Sequence, residues 1–209
     1  MTTADIIAAA LRPVAPNGKL AAVDVPLINQ LAALWDARVV HDLPELNEPS
    51  WIGIARAQIG EREITGPKHN SWIANGWRRL GASWFNDDET PWCGFFMADC
   101  LDKAGLPYPK NFPAAASFRD WGEATAPQLG AIGVKARKGG NHVFFIVGET
   151  PDKAYYKALG GNQGNMVSIV DIRKDQVDAV RWPKGAAQVP LTRRVLPILP
   201  RGTISGSEA

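Results

Sequence analysis

The chain has 209 residues, 45% of them hydrophobic and 21% charged. That suits a domain of about 150 residues with a small appendage and excludes a disordered chain. Lys and Arg exceed Asp and Glu by only 23 − 21 = 2, so charge does not point to a nucleic-acid partner, and the Arg78-Arg79 and Arg193-Arg194 pairs read as solvated faces. The first residues, MTTADIIAAALRPVAPNG, lack the basic start of a secretory signal. No run reaches the roughly 18 apolar residues of a membrane span. The expectation is cytoplasmic synthesis, no membrane partner and a monomer.

In chain order, residues 3 to 12 read as a short helix stopped by Pro13. A second helix starts at Asp24 and carries Leu27, Ile28, Leu31, Leu34 and Trp35 at helical spacing. The proline-rich, acidic HDLPELNEPS then reads as a linker, with a boundary near residue 46. This predicts a helical segment over 1–45, a main domain over 46–190 and a tail over 191–209. SWIGIARAQIG and NSWIANGWRRLG read as helices, the second with Trp72, Ile73, Trp77 and Leu80 on one stripe and Gly81 just past its end. A third helix begins near Pro91 and ends at Gly105, and ASFRDWG offers a short fourth. From residue 129 the runs GAIGVKAR, HVFFIVGE, KAYYKALGG, MVSIVDIR and DAVRWP alternate with turn sequences, which predicts four or five antiparallel strands in a meander. Helices followed by a sheet make the main domain α+β.

The chemistry centres on DDETPWCGFF, residues 87–96. With Thr90 as cap and Pro91 as first helical residue, Cys93 falls in the first helical turn. There the positive end of the helix favours a thiolate. Cys100 shares the apolar face of that helix and reads as packing. The two cysteines would lie about 10 Å apart at 1.5 Å rise per residue, too far for a disulfide. Of three histidines, His41 lies in the linker and His69 reads as a polar residue at a helix start. His142 opens the most apolar strand and is the candidate base. The following GGNQGN brings an amide to orient the imidazole, Asn162 first and Gln163 second, with Asn165 and the glycines as turn chemistry. Trp92, beside the nucleophile, is expected in the cleft with Gln163 as a substrate contact, while Trp72, Trp77 and Trp84 read as core. Asn86, Asp87 and Asp88 are open candidates to assist an oxyanion. The DDE run reads as a solvated approach to the helix, with no metal or other cofactor expected.

A cysteine on a helix, then a histidine and an amide on a following sheet, resembles the papain-like arrangement. From about residue 50 to 184 the chain is similar to a phage and bacterial family of cell-wall hydrolases related to the NlpC/P60 and CHAP peptidases. Four stretches in order carry the likeness: WIGIARAQIGEREITGPKHN, DDETPWCGFFMADCLDKAG, GNHVFFIVGE and LGGNQGNMVSI. The chain has PWC where NlpC/P60 members have an Asp-Cys pair, and LGAIGV where many relatives have Gly-Asp. The resemblance implies a papain-like fold and peptidoglycan as partner. Cys93 would attack an amide carbonyl, His142 would act as base, and Asn162 would match the third position. It further implies an endolysin-type role at the cell wall after phage-driven release, as an amidase or an endopeptidase. A catalytically idle wall-binding or virion module and a cysteine-dependent acyltransferase are the alternatives.

Overall fold

The computed structural model describes residues 4–5, 7–8, 24–30, 32, 48–187 and 196–202. The chain divides into two compact units, Met1–Asn47 and Glu48–Ala209. In the first, residues 4–5, 7–8, 24–30 and 32 are helical, with Ile28 and Ala32 buried and Leu27 exposed. Leu31, Leu34, Trp35 and His41 lie outside the described residues.

The second unit is α+β. Its helices are α1 (Ser50–Ala57), α2 (Ser71–Arg79) and α3 (Cys93–Lys103), and a 3-10 turn, Ala115–Phe118, stands where ASFRDWG predicted a short helix. Asn70 caps α2 by accepting from Trp72 N–H at 2.9 Å, and Gly81 follows its end at φ 89°. α3 is buried without a break from Cys93 to Leu101, which explains its nearly continuous apolar sequence. Its one buried charge, Asp99, is held by Arg79, by Lys103 at 2.8 Å and by the Trp72 indole at 3.2 Å. Phe95 packs 5.1 Å from Trp77, and Phe96 packs 6.2 Å from Phe145 of the sheet. Each such buried side chain contributes about 1.5–3 kcal/mol. Gly94 is required for its size: a Cβ there would stand 2.0 Å from the Phe112 carbonyl oxygen.

The sheet comprises β1 (Glu123–Ala124), β2 (Ile132–Arg137), β3 (Gly140–Glu149), β4 (Tyr155–Gly160), β5 (Ser168–Arg173) and β6 (Val177–Trp182). The predicted meander holds for β2 to β5 only. The spatial order is β1-β6-β2-β3-β4-β5, antiparallel throughout, so β6 pairs with β2 on the far side of β3 and β4. Four strand spacings in a flat sheet would separate β5 from β6 by about 19 Å. The chain between Arg173 and Val177 reaches about 14 Å at most. The sheet therefore curls towards closure, which is how β6 finds β2. The short strand β1, absent from the sequence reading, adds to the outer edge of β6.

Part of the region read as a tail lies along this sheet. Glu149 pairs with Ile198 as a parallel bridge. The buried Lys157–Asp171 ion pair also receives the end of the segment: Lys157 Nζ donates to Pro200 O at 2.8 Å, and Gly202 N–H donates to Asp171 at 3.0 Å. No helix among the described residues is long and apolar enough to cross a membrane.

Candidate functional site

Cys93 is the first residue of α3, with Trp92 at the cap position and no side-chain cap. The predicted start at Pro91 is two residues early. Thr90 instead gives its hydroxyl to Asp87 at 3.2 Å, and Asp87 Oδ1 also accepts the Glu89 and Thr90 N–H groups at 3.0 and 2.6 Å. Cys93 thus sits at the N-terminal end of an α-helix, where negative charge is favoured. Both cysteines are reduced and buried. Burial, followed by the charge of Asp99, pushes the Cys100 thiol well up, as befits an inert core residue.

His142 lies near the start of β3, fully buried, its ring stacked 5.8 Å from Phe144. Its Nε2 lies 3.1 Å from Gln163 Oε1. The amide nitrogen of Gln163 donates to Ser168 O at 2.6 Å and to Ala158 O at 3.3 Å. Two carbonyl acceptors fix which end of the amide is nitrogen, so Oε1 faces the ring and must receive a proton from it. His142 is therefore the Nε2–H tautomer, and Nδ1 carries the lone pair that a base needs. Burial pushes its pKa down to about 3. The Gln163 bond opposes this shift, while Arg137 and Lys135 add to it. The imidazole is neutral at physiological pH.

Gln163, not Asn162, meets His142. Asn162 sits at φ 57° and, with Gly164 at 63° and Asn165 at 60°, forms the left-handed turn joining β4 to β5. Asn tolerates that conformation best after Gly, and this was the available signal that Asn162 serves the turn. The Gln163 side chain is taken up by His142 and by the carbonyl oxygens of Ala158 and Ser168.

Consecutive glycines border both this pair and α3. A Cβ on Gly160 would stand 3.3 Å from His142 Nε2, and one on Gly161 would stand 2.7 Å from the Trp92 ring and 2.5 Å from Phe96 Cβ. The end of β4 therefore lies close both to the His142–Gln163 pair and to the Trp92 and Phe96 side chains, and α3 packs directly on β3. Cys93 is 2% exposed and Gln163 4%.

Two of the tryptophan assignments change, while Trp77 is buried in the core and Trp72 packs against it as read from the sequence. Trp92 is fully buried rather than in a cleft, edge-on to Trp72 at 6.1 Å, with its indole N–H donated to Glu63 at 2.8 Å. Trp84, read as core, is 68% exposed. Helical spacing reports a face, and Trp84 lies in the loop after α2, where that signal has no meaning.

The acidic approach is structural. Asp88 is fully buried and accepts from Ile64 N–H and Asn70 N–H, each at 2.8 Å, with His69 Nδ1 at 2.9 Å. Burial alone would raise its pKa, but these bonds outweigh it and hold the carboxyl below the usual range. His69 is raised, chiefly by its bond to Asp88. Asp87 and Asp88 are taken up by these partners, and Asn86 is exposed. Among the described residues no cluster of three His, Cys, Asp or Glu side chains could hold a metal ion. No family model, curated protein or solved structure matches the chain.

Proposed function

We propose that the chain is a cysteine peptidoglycan hydrolase with a papain-like site, cleaving an amide bond of the cell-wall peptide. The observation that carries this reading is the His142–Gln163 bond, which leaves Nδ1 as the basic nitrogen, beside a helix that begins with Cys93. A neutral imidazole acting on a buried cysteine favours proton transfer at the moment of attack over a standing ion pair. Cys93 Sγ bonds to the amide carbonyl carbon while His142 Nδ1 takes the thiol proton. The oxyanion rests on N–H groups at the start of α3, the C–N bond breaks as His142 protonates the leaving amine, and water then hydrolyses the thioester. The substrate class comes from the sequence resemblance.

The second reading, a module that keeps the fold without catalysis, is favoured by one observation: both Cys93 and His142 are buried. Digestion of purified peptidoglycan by wild type and Cys93→Ala, with mass spectrometry of the products, separates the two. Fragments with new carboxyl ends from wild type alone support hydrolysis and identify the bond. Equal release by both proteins removes Cys93 as nucleophile.

A further inference from the structure

The start of α3 lacks a side-chain cap, and Thr90 is bound to Asp87 instead. Trp92, at the cap position, is buried, and the one polar atom of its ring, the indole N–H, donates to Glu63 Oε1 at 2.8 Å. The backbone of Glu63 points the other way. Its N–H donates to Asn165 O at 3.0 Å, Val167 N–H donates to Glu61 O at 2.8 Å, and Arg62 bridges to Met166. Residues 165–167 close the turn that carries Gln163. The far side of the 61–64 segment is pinned as well, by Asp88 at Ile64 N–H and by Asn70 Nδ2 at Glu61 Oε2 and Arg62 O, both 2.9 Å.

We propose that Glu63 is a positioning residue for the Cys93 site, its carboxylate holding Trp92, and through it Cys93, in register with the His142–Gln163 pair. The proposal rests on reading Cys93 as the nucleophile. Glu63 reaches both halves: its side chain meets the residue before Cys93, and its main chain meets the turn that carries Gln163. Burial, with the charges of Asp88, Glu89 and Asp87, opposes its ionisation, so an acid here costs more than an amide would. A charged acceptor makes the stronger hydrogen bond to the indole in return.

The test is the pH–rate profile of Cys93 alkylation by iodoacetamide, read by peptide mapping on the full chain, with Cys100 as internal control and thermal midpoints measured alongside. The variants are Glu63→Ala, Glu63→Gln, Trp92→Phe and His142→Ala. Glu63→Ala and Trp92→Phe should slow alkylation about tenfold at pH 7 and move the profile towards that of His142→Ala. Glu63→Gln, which keeps an acceptor oxygen, should stay within about threefold of wild type. Superimposable wild-type and Glu63→Ala profiles overturn the proposal, as does a loss in Glu63→Ala that Glu63→Gln does not rescue. Coincident wild-type and His142→Ala profiles would instead remove the nucleophile reading, and the role of Glu63 with it.

Discussion

Gln163 holds His142 by a 3.1 Å bond from Nε2 to Oε1, while the other end of the same amide is tied at 2.6 Å to Ser168 O. An amide anchored at both ends fixes the tautomer as well as the ring position. Gln163→Leu should therefore lower any Cys93-dependent activity by at least about tenfold, with a smaller effect on the thermal midpoint. Asn162→Gly, which suits φ 57°, should stay near wild type. Rates of the two purified variants on peptidoglycan check this contrast, and a larger loss in Asn162→Gly would return the orienting role to Asn162.

Acid should destabilise the protein through His142. Its pKa lies at about 3 when folded, against roughly 6.5 when unfolded, so the unfolded chain binds the extra proton between those values. Stability then rises with pH across that window and is flat above it, by an amount on the order of a few kcal/mol. His69, raised by Asp88, acts in the opposite sense: its contribution is present below about 6.5 and is lost as pH climbs through its folded value. Urea unfolding of wild type and His142→Gln at pH 7 and pH 4.5 checks the window, the wild type losing more stability on acidification than the variant.

Asp88 accepts three hydrogen bonds from inside the fold. Asp88→Ala leaves two backbone donors without a partner and should cost about 2–5 kcal/mol, measured by chemical denaturation. His69→Ala should cost less, because that ring is partly exposed.

Close packing at two glycines gives a steric prediction. Gly94→Ala drives a Cβ to 2.0 Å from the Phe112 carbonyl oxygen, and Gly161→Ala drives one to 2.5 Å from Phe96 Cβ. Each should destabilise the protein by about 1–3 kcal/mol, and Gly161→Ala should also slow Cys93 alkylation by displacing Trp92 and Phe96. A Gly161→Ala protein with wild-type stability and reactivity would contradict the placement of β4 against the helix start.

Periodicity made much of this fold readable. The α2 stripe of Ile73, Trp77 and Leu80, the glycines ending α2 and α3, and the five strand runs all follow from local pattern. The return of β6 to β2 was not readable, because it depends on the curl of the whole sheet and no local period encodes that. Within the site, Cys93 and His142 stand out as a rare residue at a helix start and one at a strand start. The sequence left Asn162 and Gln163 both open because either amide can orient a ring; that Gln163 meets His142 while Asn162 sits at positive φ is a tertiary outcome. Glu63, Asp88 and His69 were missed as partners for the same reason: their bonds span 18 to 29 residues.

The central claim is that Cys93 becomes acylated during turnover. Wild-type protein mixed with soluble peptidoglycan fragments, acid-quenched within the first turnovers and mapped by mass spectrometry, should carry an acyl adduct on Cys93 that accumulates and then disappears as amine product is released. Fragment cleavage with no adduct on Cys93, or at an undiminished rate in Cys93→Ala, would contradict it.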